Sequence, residues 1–235
     1  MKRFAIGAAL AASLAAGCDG QVSPHETPAP ITTSAEAVPH AGAAYLSDTD
    51  KRTLATAFET GKAYIESKHV GSTATLRLVT LEGGAQANCE QTPYTSTGPG
   101  PEYCNSTTTV LFDAQFADKD IPALLNAPEI PANAVPNLKS DALKYVISHE
   151  LGHHLQILDD PTSFMQTQLL KEQQADCFAG EMLRTTDPAA IPGATTFIEH
   201  MPGDPAHGTP PERAAKFMQG AGGVGCVVPA AAPVG

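Results

Sequence analysis

The sequence predicts an α+β fold with a small sheet and a mainly helical second half. An amphipathic helix comes first, two short strands follow it, and the rest of the chain is helical, so helices and strands are separated instead of alternating. The chain has 235 residues and is 42% hydrophobic, which is enough for one core of ordinary size. We therefore expect a single folded domain, over residues 43 to 228.

The first residues have the pattern of an export signal. Lys2 and Arg3 precede an apolar stretch over residues 4 to 16, which is too short to span a bilayer. The stretch ends in Leu-Ala-Ala-Gly-Cys, typical of a bacterial lipoprotein cleavage site, with Cys18 as the lipidated first residue. Ordinary signal-peptidase cleavage, with Cys18 incidental, is the alternative. The prediction is a signal peptide over residues 1 to 17 and an exported, membrane-anchored lipoprotein of the cell envelope, facing the periplasm or the exterior.

The segments outside the domain are predicted to be unstructured connections. Residues 18 to 42 are rich in Pro, Ser, Thr and Ala, which is typical of a linker that holds a domain away from a membrane, and residues 229 to 235 form a flexible tail. The formal net charge is −11, and no basic run exists beyond the first three residues. Because phosphate binding requires Lys and Arg patches, nucleic acid is excluded as a partner.

The first half of the domain contains the predicted sheet. Ser47 or Asp48 can cap a helix that ends near residue 68, with Leu54, Phe58 and Ile65 at helical spacing and Gly61 weakening the pattern. Residues 73 to 81 and 107 to 112 are predicted strands, joined by a loop over residues 83 to 105. Four prolines between residues 121 and 138 exclude a long helix there.

Helices dominate the second half. Ser140-Asp141 caps a helix to about residue 158, whose apolar side carries Leu143, Val146, Ile147, Leu151 and Leu155. Pro161-Thr162 opens another to about residue 184, and a short helix over residues 210 to 219 follows a Gly/Pro-rich connection.

The segment His149-Glu150-Leu151-Gly152-His153 predicts a zinc site. Its two histidines, at i and i+4, project from one helix face, and two imidazole nitrogens at that spacing can bind one zinc ion. The adjacent Glu150 can then take a proton from the zinc-bound water as general base.

Two acids on the next helix are candidates to complete the site. Glu172 is the candidate third ligand, and Asp176, four residues later, can accept a hydrogen bond from a zinc-bound histidine. The alternative is that both are ordinary surface acids, since Lys171 and two glutamines neighbour them.

Four cysteines remain if Cys18 is lipidated, and in an oxidising compartment they can pair in three ways. A bond between Cys89 and Cys104 would close the loop between the strands, and one between Cys177 and Cys226 would then tie the C-terminus to a helix. A metal-binding role is the weaker interpretation, because the chain has no C-x-x-C pair.

Three segments resemble the bacterial putative neutral zinc metallopeptidases. They are residues 145 to 156 (YVISHELGHHLQ), residues 172 to 180 (EQQADCFAG), and His207-Gly208-Thr209 with Glu212, Arg213 and Phe217, while Cys226 matches a late cysteine. The resemblance implies a zincin-like fold, one Zn²⁺ held by His149, His153 and Glu172, and Glu150 as catalytic base. It also supports the Cys177–Cys226 pairing.

Three further features have expected roles, of which those of His207 and of one strand follow related zincins. His207 would donate to the oxyanion of the tetrahedral intermediate, as His or Tyr does in related zincins; a structural role is the alternative. Arg213 would contact substrate or pair with an acid. The strand ending at Phe112-Asp113 would be the sheet edge that pairs with extended substrate.

The predicted function is zinc-dependent hydrolysis of peptide bonds in peptide or protein substrates. One alternative is a zinc-stabilised envelope binding lipoprotein without peptidase activity, and another is a metal-free, disulfide-rich lipoprotein.

Overall fold

The computed structural model describes residues 46–79, 100–163 and 166–226, without the side chains of residues 77–79. In this part of the chain the helices are α1 (Asp48–Lys68), α2 (Ile121–Leu124), α3 (Val135–Asp159), α4 (Gln168–Thr186), α5 (Ile191–His200) and α6 (Pro210–Ala221), and the strands are β1 (Thr75–Val79), β2 (Glu102–Cys104) and β3 (Thr109–Asp113). The predicted α+β class with a small sheet is confirmed. The predicted signal peptide, linker and tail, with the domain boundaries at 43 and 228, lie outside the described residues.

The sheet has three described strands in the order β1-β3-β2. β3 pairs with β1 in parallel and with β2 in antiparallel orientation, and its Val110 and Phe112 are completely buried. The prediction that the strand ending at Phe112-Asp113 is the sheet edge is therefore wrong, because both sides of β3 are occupied. The cause is β2, whose three residues lie within the predicted loop and are too few to show a strand pattern.

α1 packs against α3 and α4, and Gly61 explains how closely it does so. The helix begins and ends as predicted, and the Ser47 side chain accepts a hydrogen bond from the Asp50 backbone nitrogen. A Cβ atom at Gly61 would lie 2.6 Å from Cδ1 of Leu151 and 2.8 Å from the sulfur of Met182. Glycine lowers helix propensity by about 1 kcal/mol relative to alanine, but here it permits direct contact among three helices.

Three of the helix predictions are wrong, two of them because proline is tolerated in the first turn of a helix. α3 begins at Val135, with Pro136 in its first turn, instead of at Ser140-Asp141. α4 begins after Thr167, whose hydroxyl oxygen accepts from the Leu170 nitrogen, instead of at Pro161-Thr162. α5, which also has a proline in its first turn, occupies part of the predicted connection.

None of the described helices is both long enough and apolar enough to cross a membrane.

Candidate metal centre

The His-Glu-Leu-Gly-His segment lies in the middle of α3, where other helices cover it. His149 and Glu150 are each 6% exposed, and the His153 side chain is 18% exposed. The two imidazoles follow one another along the helix, with ring centroids 4.9 Å apart. The buried position means that these polar groups require partners.

Gly152 allows α4 to approach this part of α3. A Cβ atom at Gly152 would lie 2.9 Å from the carbonyl oxygen of Ala175 and 3.2 Å from its Cα atom. Ala175 lies between Glu172 and Asp176 in the sequence. The close contact therefore brings both acids to the histidines, so they are not surface residues: Glu172 is 4% exposed and Asp176 is completely buried.

Both imidazoles converge on one carboxylate oxygen. Oε2 of Glu172 lies 3.0 Å from Nε2 of His149 and 3.3 Å from Nε2 of His153. One ligand atom from each of these residues lies within 4.8 Å of the other two. Ligands about 2.0 to 2.2 Å from one ion in a tetrahedron are roughly 3.3 to 3.6 Å apart. The three residues therefore form a group that can bind a metal ion after small adjustments.

Each histidine has a hydrogen-bond partner at Nδ1, the ring nitrogen that does not face Glu172. Nδ1 of His149 lies 2.8 Å from Oδ1 of Asp176, and Nδ1 of His153 lies 2.9 Å from Oε1 of Gln156. An Nδ1 proton donated to these oxygens leaves Nε2 free to bind a metal. The structure places Asp176 where the sequence analysis expected it. Gln156 was missed, although its position three residues after His153 on the same helix was visible in the sequence.

The site is strongly charged in the absence of metal. Burial by itself lowers the pKa of His149, but Asp176 and Glu172 outweigh it and raise this pKa to about 10. Burial alone would raise the pKa values of Glu172 and Asp176, but hydrogen bonds and opposite charges hold both well below the usual range. The metal-free site therefore contains an imidazolium between two carboxylates, and a metal ion must displace its proton.

Glu150 lies next to a second glutamate from the sheet. Burial raises the pKa of the Glu150 carboxyl, and the positive charges on His149 and His153 oppose this shift without cancelling it. Glu102 on β2 has a pKa raised to about 7, by burial and by the charge of Glu150. β2, which the sequence did not predict, is therefore electrostatically part of the site.

His207 lies beside the group, on the loop between α5 and α6. Its Nε2 is 3.6 Å from Oε2 of Glu172, and its Nδ1 is 2.7 Å from Oδ2 of Asp204. The other oxygen of Asp204 accepts the backbone N–H groups of Ala206 and His207. Because His207 is not in the set of ligand atoms within 4.8 Å of one another, it lies outside the three-residue group. Sequence reasoning missed Asp204, whose signal was its position three residues before His207.

Arg213 pairs with an acid, which was one of its two expected roles. Its Nε lies 3.0 Å from Oδ2 of Asp176, and its side chain is 4% exposed. Tyr145, one turn before His149 on α3, donates its hydroxyl proton to the same carboxylate. Sequence reasoning did not assign Tyr145 a role.

The cysteines that the structure describes are in disulfide bonds. Cys177 and Cys226 are bonded to each other, with Cα atoms 5.5 Å apart, which confirms the predicted pairing. Cys104 is also disulfide-bonded. Cys89, its expected partner, lies outside the described residues, as does Cys18.

No known protein family, no curated protein and no solved structure matches this chain.

Proposed function

We propose that this protein is a zinc-dependent metallopeptidase of the bacterial cell envelope. Its one Zn²⁺ would be held by His149, His153 and Glu172, with Glu150 as the general base. The observation that carries the proposal is the convergence of two Nε2 atoms on one Glu172 oxygen, immediately beside a buried glutamate. Two histidines and a glutamate are a ligand set of catalytic zinc sites, which keep a fourth position open for water or substrate. A zincin-like fold and membership of the neutral zinc metallopeptidases are part of the same proposal, supported by the three segments that resemble that family.

Two side chains would handle protons in peptide hydrolysis. A bound zinc ion supplies a water molecule with a pKa lowered toward about 7. The Glu150 carboxylate would accept a proton from the attacking water and pass it to the departing amine. His207, whose Nδ1 lies 2.7 Å from Oδ2 of Asp204, would stabilise the oxyanion of the intermediate.

The proposal is tested by replacing Glu150 with glutamine. The Glu150→Gln protein should retain one equivalent of zinc, because the ligands are unchanged, and should lose at least about 100-fold in peptidase rate, because it lacks the base. Glu66→Gln, at an exposed position on α1, is the matched control and should behave as wild type. Metal content by mass spectrometry and cleavage of an unfolded protein substrate are the measurements. Activity that survives in Glu150→Gln contradicts the proposed mechanism.

The burial of Glu150, which is 6% exposed, favours one alternative, because a base this enclosed has little access to a substrate. The alternative is a zinc-stabilised envelope binding lipoprotein that has no peptidase activity. In that case the wild-type protein binds one zinc ion and melts at a much lower temperature after chelation. It then cleaves no substrate under any condition in which zinc remains bound.

The proposed location is the cell envelope, with a lipid anchor at Cys18. The Cys177–Cys226 bond supports export, because disulfides persist in oxidising compartments and are rare in the cytosol. The Gly-Cys sequence at residues 17 and 18 supports lipidation.

A further inference from the structure

The Asp176 carboxylate, which lies behind the candidate ligand His149, receives hydrogen bonds from three residues. Its Oδ1 is 2.8 Å from Nδ1 of His149 and 3.0 Å from Nη2 of Arg213, and it also accepts the hydroxyl proton of Tyr145. Its Oδ2 accepts from Nε of Arg213 at 3.0 Å. Nη2 of Arg213 donates to the Tyr145 oxygen at 2.9 Å as well. This network joins α3, α4 and α6.

α6 holds Arg213 in place through direct contact with the backbone of α4. A Cβ atom at Gly180 would lie 2.0 Å from the Phe217 carbonyl oxygen, and one at Gly220 would lie 1.9 Å from the Cys177 carbonyl oxygen. The Cys177–Cys226 disulfide ties the chain beyond α6 to the residue that follows Asp176. The guanidinium is therefore presented by a fixed helix and not by a loop.

We propose that Arg213 is a positioning residue for the metal site. A carboxylate held at one oxygen can turn about its Cβ–Cγ bond, whereas Arg213 grips both oxygens of Asp176 and fixes their plane. The fixed Oδ1 then holds the His149 ring so that Nε2 is directed at Glu172. The inference rests on the metal-binding part of the proposed function and is independent of peptide hydrolysis.

The surroundings of Arg213 exclude a direct contact with substrate. Its side chain is 4% exposed, and its remaining nitrogen, Nη1, faces the sulfur of Met201 at 3.8 Å. Each nitrogen of the guanidinium is thus directed into the protein. Arg213 acts through Asp176 and His149, and not on the reacting groups.

The test compares Arg213→Gln and Arg213→Lys with Met182→Ala in the full-length chain. Met182→Ala removes a buried side chain from α4 outside the network, so it reports a loss of stability alone. The measurements are the rate of zinc release to a chelator, the visible absorption spectrum of the Co²⁺-loaded protein, and the melting temperature. Mutating the hydrogen-bond partners of metal ligands typically weakens metal affinity about 10- to 100-fold. We therefore expect Arg213→Gln to accelerate zinc release by about that factor. It should also alter the Co²⁺ spectrum. Arg213→Lys, with one ammonium in place of the two-point grip, should be intermediate.

The results separate positioning from a purely structural role. Met182→Ala should melt earlier and keep the wild-type spectrum. The inference is overturned if Arg213→Gln keeps the wild-type rate of zinc release and the wild-type spectrum. It is also overturned if Arg213→Gln and Met182→Ala lower the melting temperature equally and change the release rate and the spectrum equally. If Arg213→Gln does not fold, an unchanged spectrum in Arg213→Lys overturns it. A wild-type chain that binds no metal overturns both this inference and the proposed function, whereas a chain that binds zinc and cleaves no peptide contradicts only the latter.

Discussion

Several charged side chains of the candidate site are buried. Three carboxylates of the site, those of Glu150, Glu172 and Asp176, are each at least nine-tenths buried. Arg213 adds one buried guanidinium beside Asp176. Unpaired buried charge is strongly unfavourable. A divalent cation would bring the total formal charge of these four side chains and the ion to zero. Without it, a proton on His149 compensates in part.

The proton on His149 makes the stability of the metal-free protein depend on pH. The pKa of His149 is about 10 in the folded state and about 6.5 in an unfolded chain. Its contribution to stability is therefore fully present below about pH 6.5 and is lost as the pH rises toward 10. The lowered pKa values of Glu172 and Asp176 act in the opposite direction, because their contributions are present above about pH 4 and are lost in acid. The combined contribution of these three groups to the stability of the chelated protein should thus be largest between roughly pH 5 and 6.5.

Melting temperatures of the chelated protein between pH 5 and 10 check this prediction. Saturation with zinc should remove the alkaline decline, because a metal ion replaces the proton on His149 and stabilises the folded state. Without metal, the His149→Gln protein should show a smaller decline, since burial lowers the pKa of His153 but Glu172 outweighs burial and raises this pKa as well. A metal-free wild-type protein that is equally stable at pH 6 and pH 9 would contradict the charge assignment.

At the scale of elements, α4 is the centre of the site. α3 meets it at Gly152, and α6 meets it at Gly180 and Gly220, so each neighbour contacts the α4 backbone directly. The 49-residue separation of Cys177 and Cys226 closes a loop that contributes about 4 kcal/mol in the chain-entropy description. Close helix packing and the disulfide thus act on the same pair of helices, the pair that carries Asp176 and Arg213.

Gly180→Ala tests the contact between α4 and α6. Alanine in an open helix would stabilise by about 1 kcal/mol. At Gly180 its Cβ would lie 2.0 Å from the Phe217 carbonyl oxygen, so α6 must move. We expect a loss of about 3 kcal/mol or more in the free energy of unfolding, measured in urea. Gly100→Ala is the control, since no atom lies within 4 Å of its added Cβ, and it should change stability by less than about 0.5 kcal/mol. Equal stability of the two variants would show that the helices are not in contact.

At the scale of the whole molecule, the proposed protein is a domain attached to a membrane through a linker. The predicted linker of residues 18 to 42 would separate the anchor from the domain, which begins its first described helix at Asp48. The net charge of −11 is not suited to binding an anionic membrane surface directly, so the lipid is expected to supply the attachment.

Cell fractionation tests the anchor. Wild-type protein should sediment with membranes and be released by detergent, because several acyl chains give stable attachment. Cys18→Ser should appear in the soluble fraction, and Ser23→Ala, in the predicted linker, is the control that should remain with membranes. A membrane-bound Cys18→Ser protein would contradict lipidation at this residue.

Much of the fold was predictable where the signal is local. The bounds of α1 and the buried side of α3 follow from the spacing of apolar residues. β2 was not predictable, because three residues such as Glu102–Cys104 become a strand only when β3 lies beside them. α5 was missed because Pro192 resembles a helix breaker, and its position in the first turn, where no N–H donor is needed, was not visible in the sequence.

For the site, the sequence by itself determined the arrangement of His149, Glu150 and His153, because helix geometry places residues i and i+4 on one face whatever surrounds them. Glu172 and Asp176 were already candidates in the sequence, but the tertiary structure decided how the residues around the two histidines are arranged. The grip of Arg213 on Asp176 spans 37 residues, and His207 reaches Glu172 from a separate loop. Such contacts depend on how closely the helices approach one another. Glycines permit the close approach, and a periodic pattern of apolar residues does not predict it.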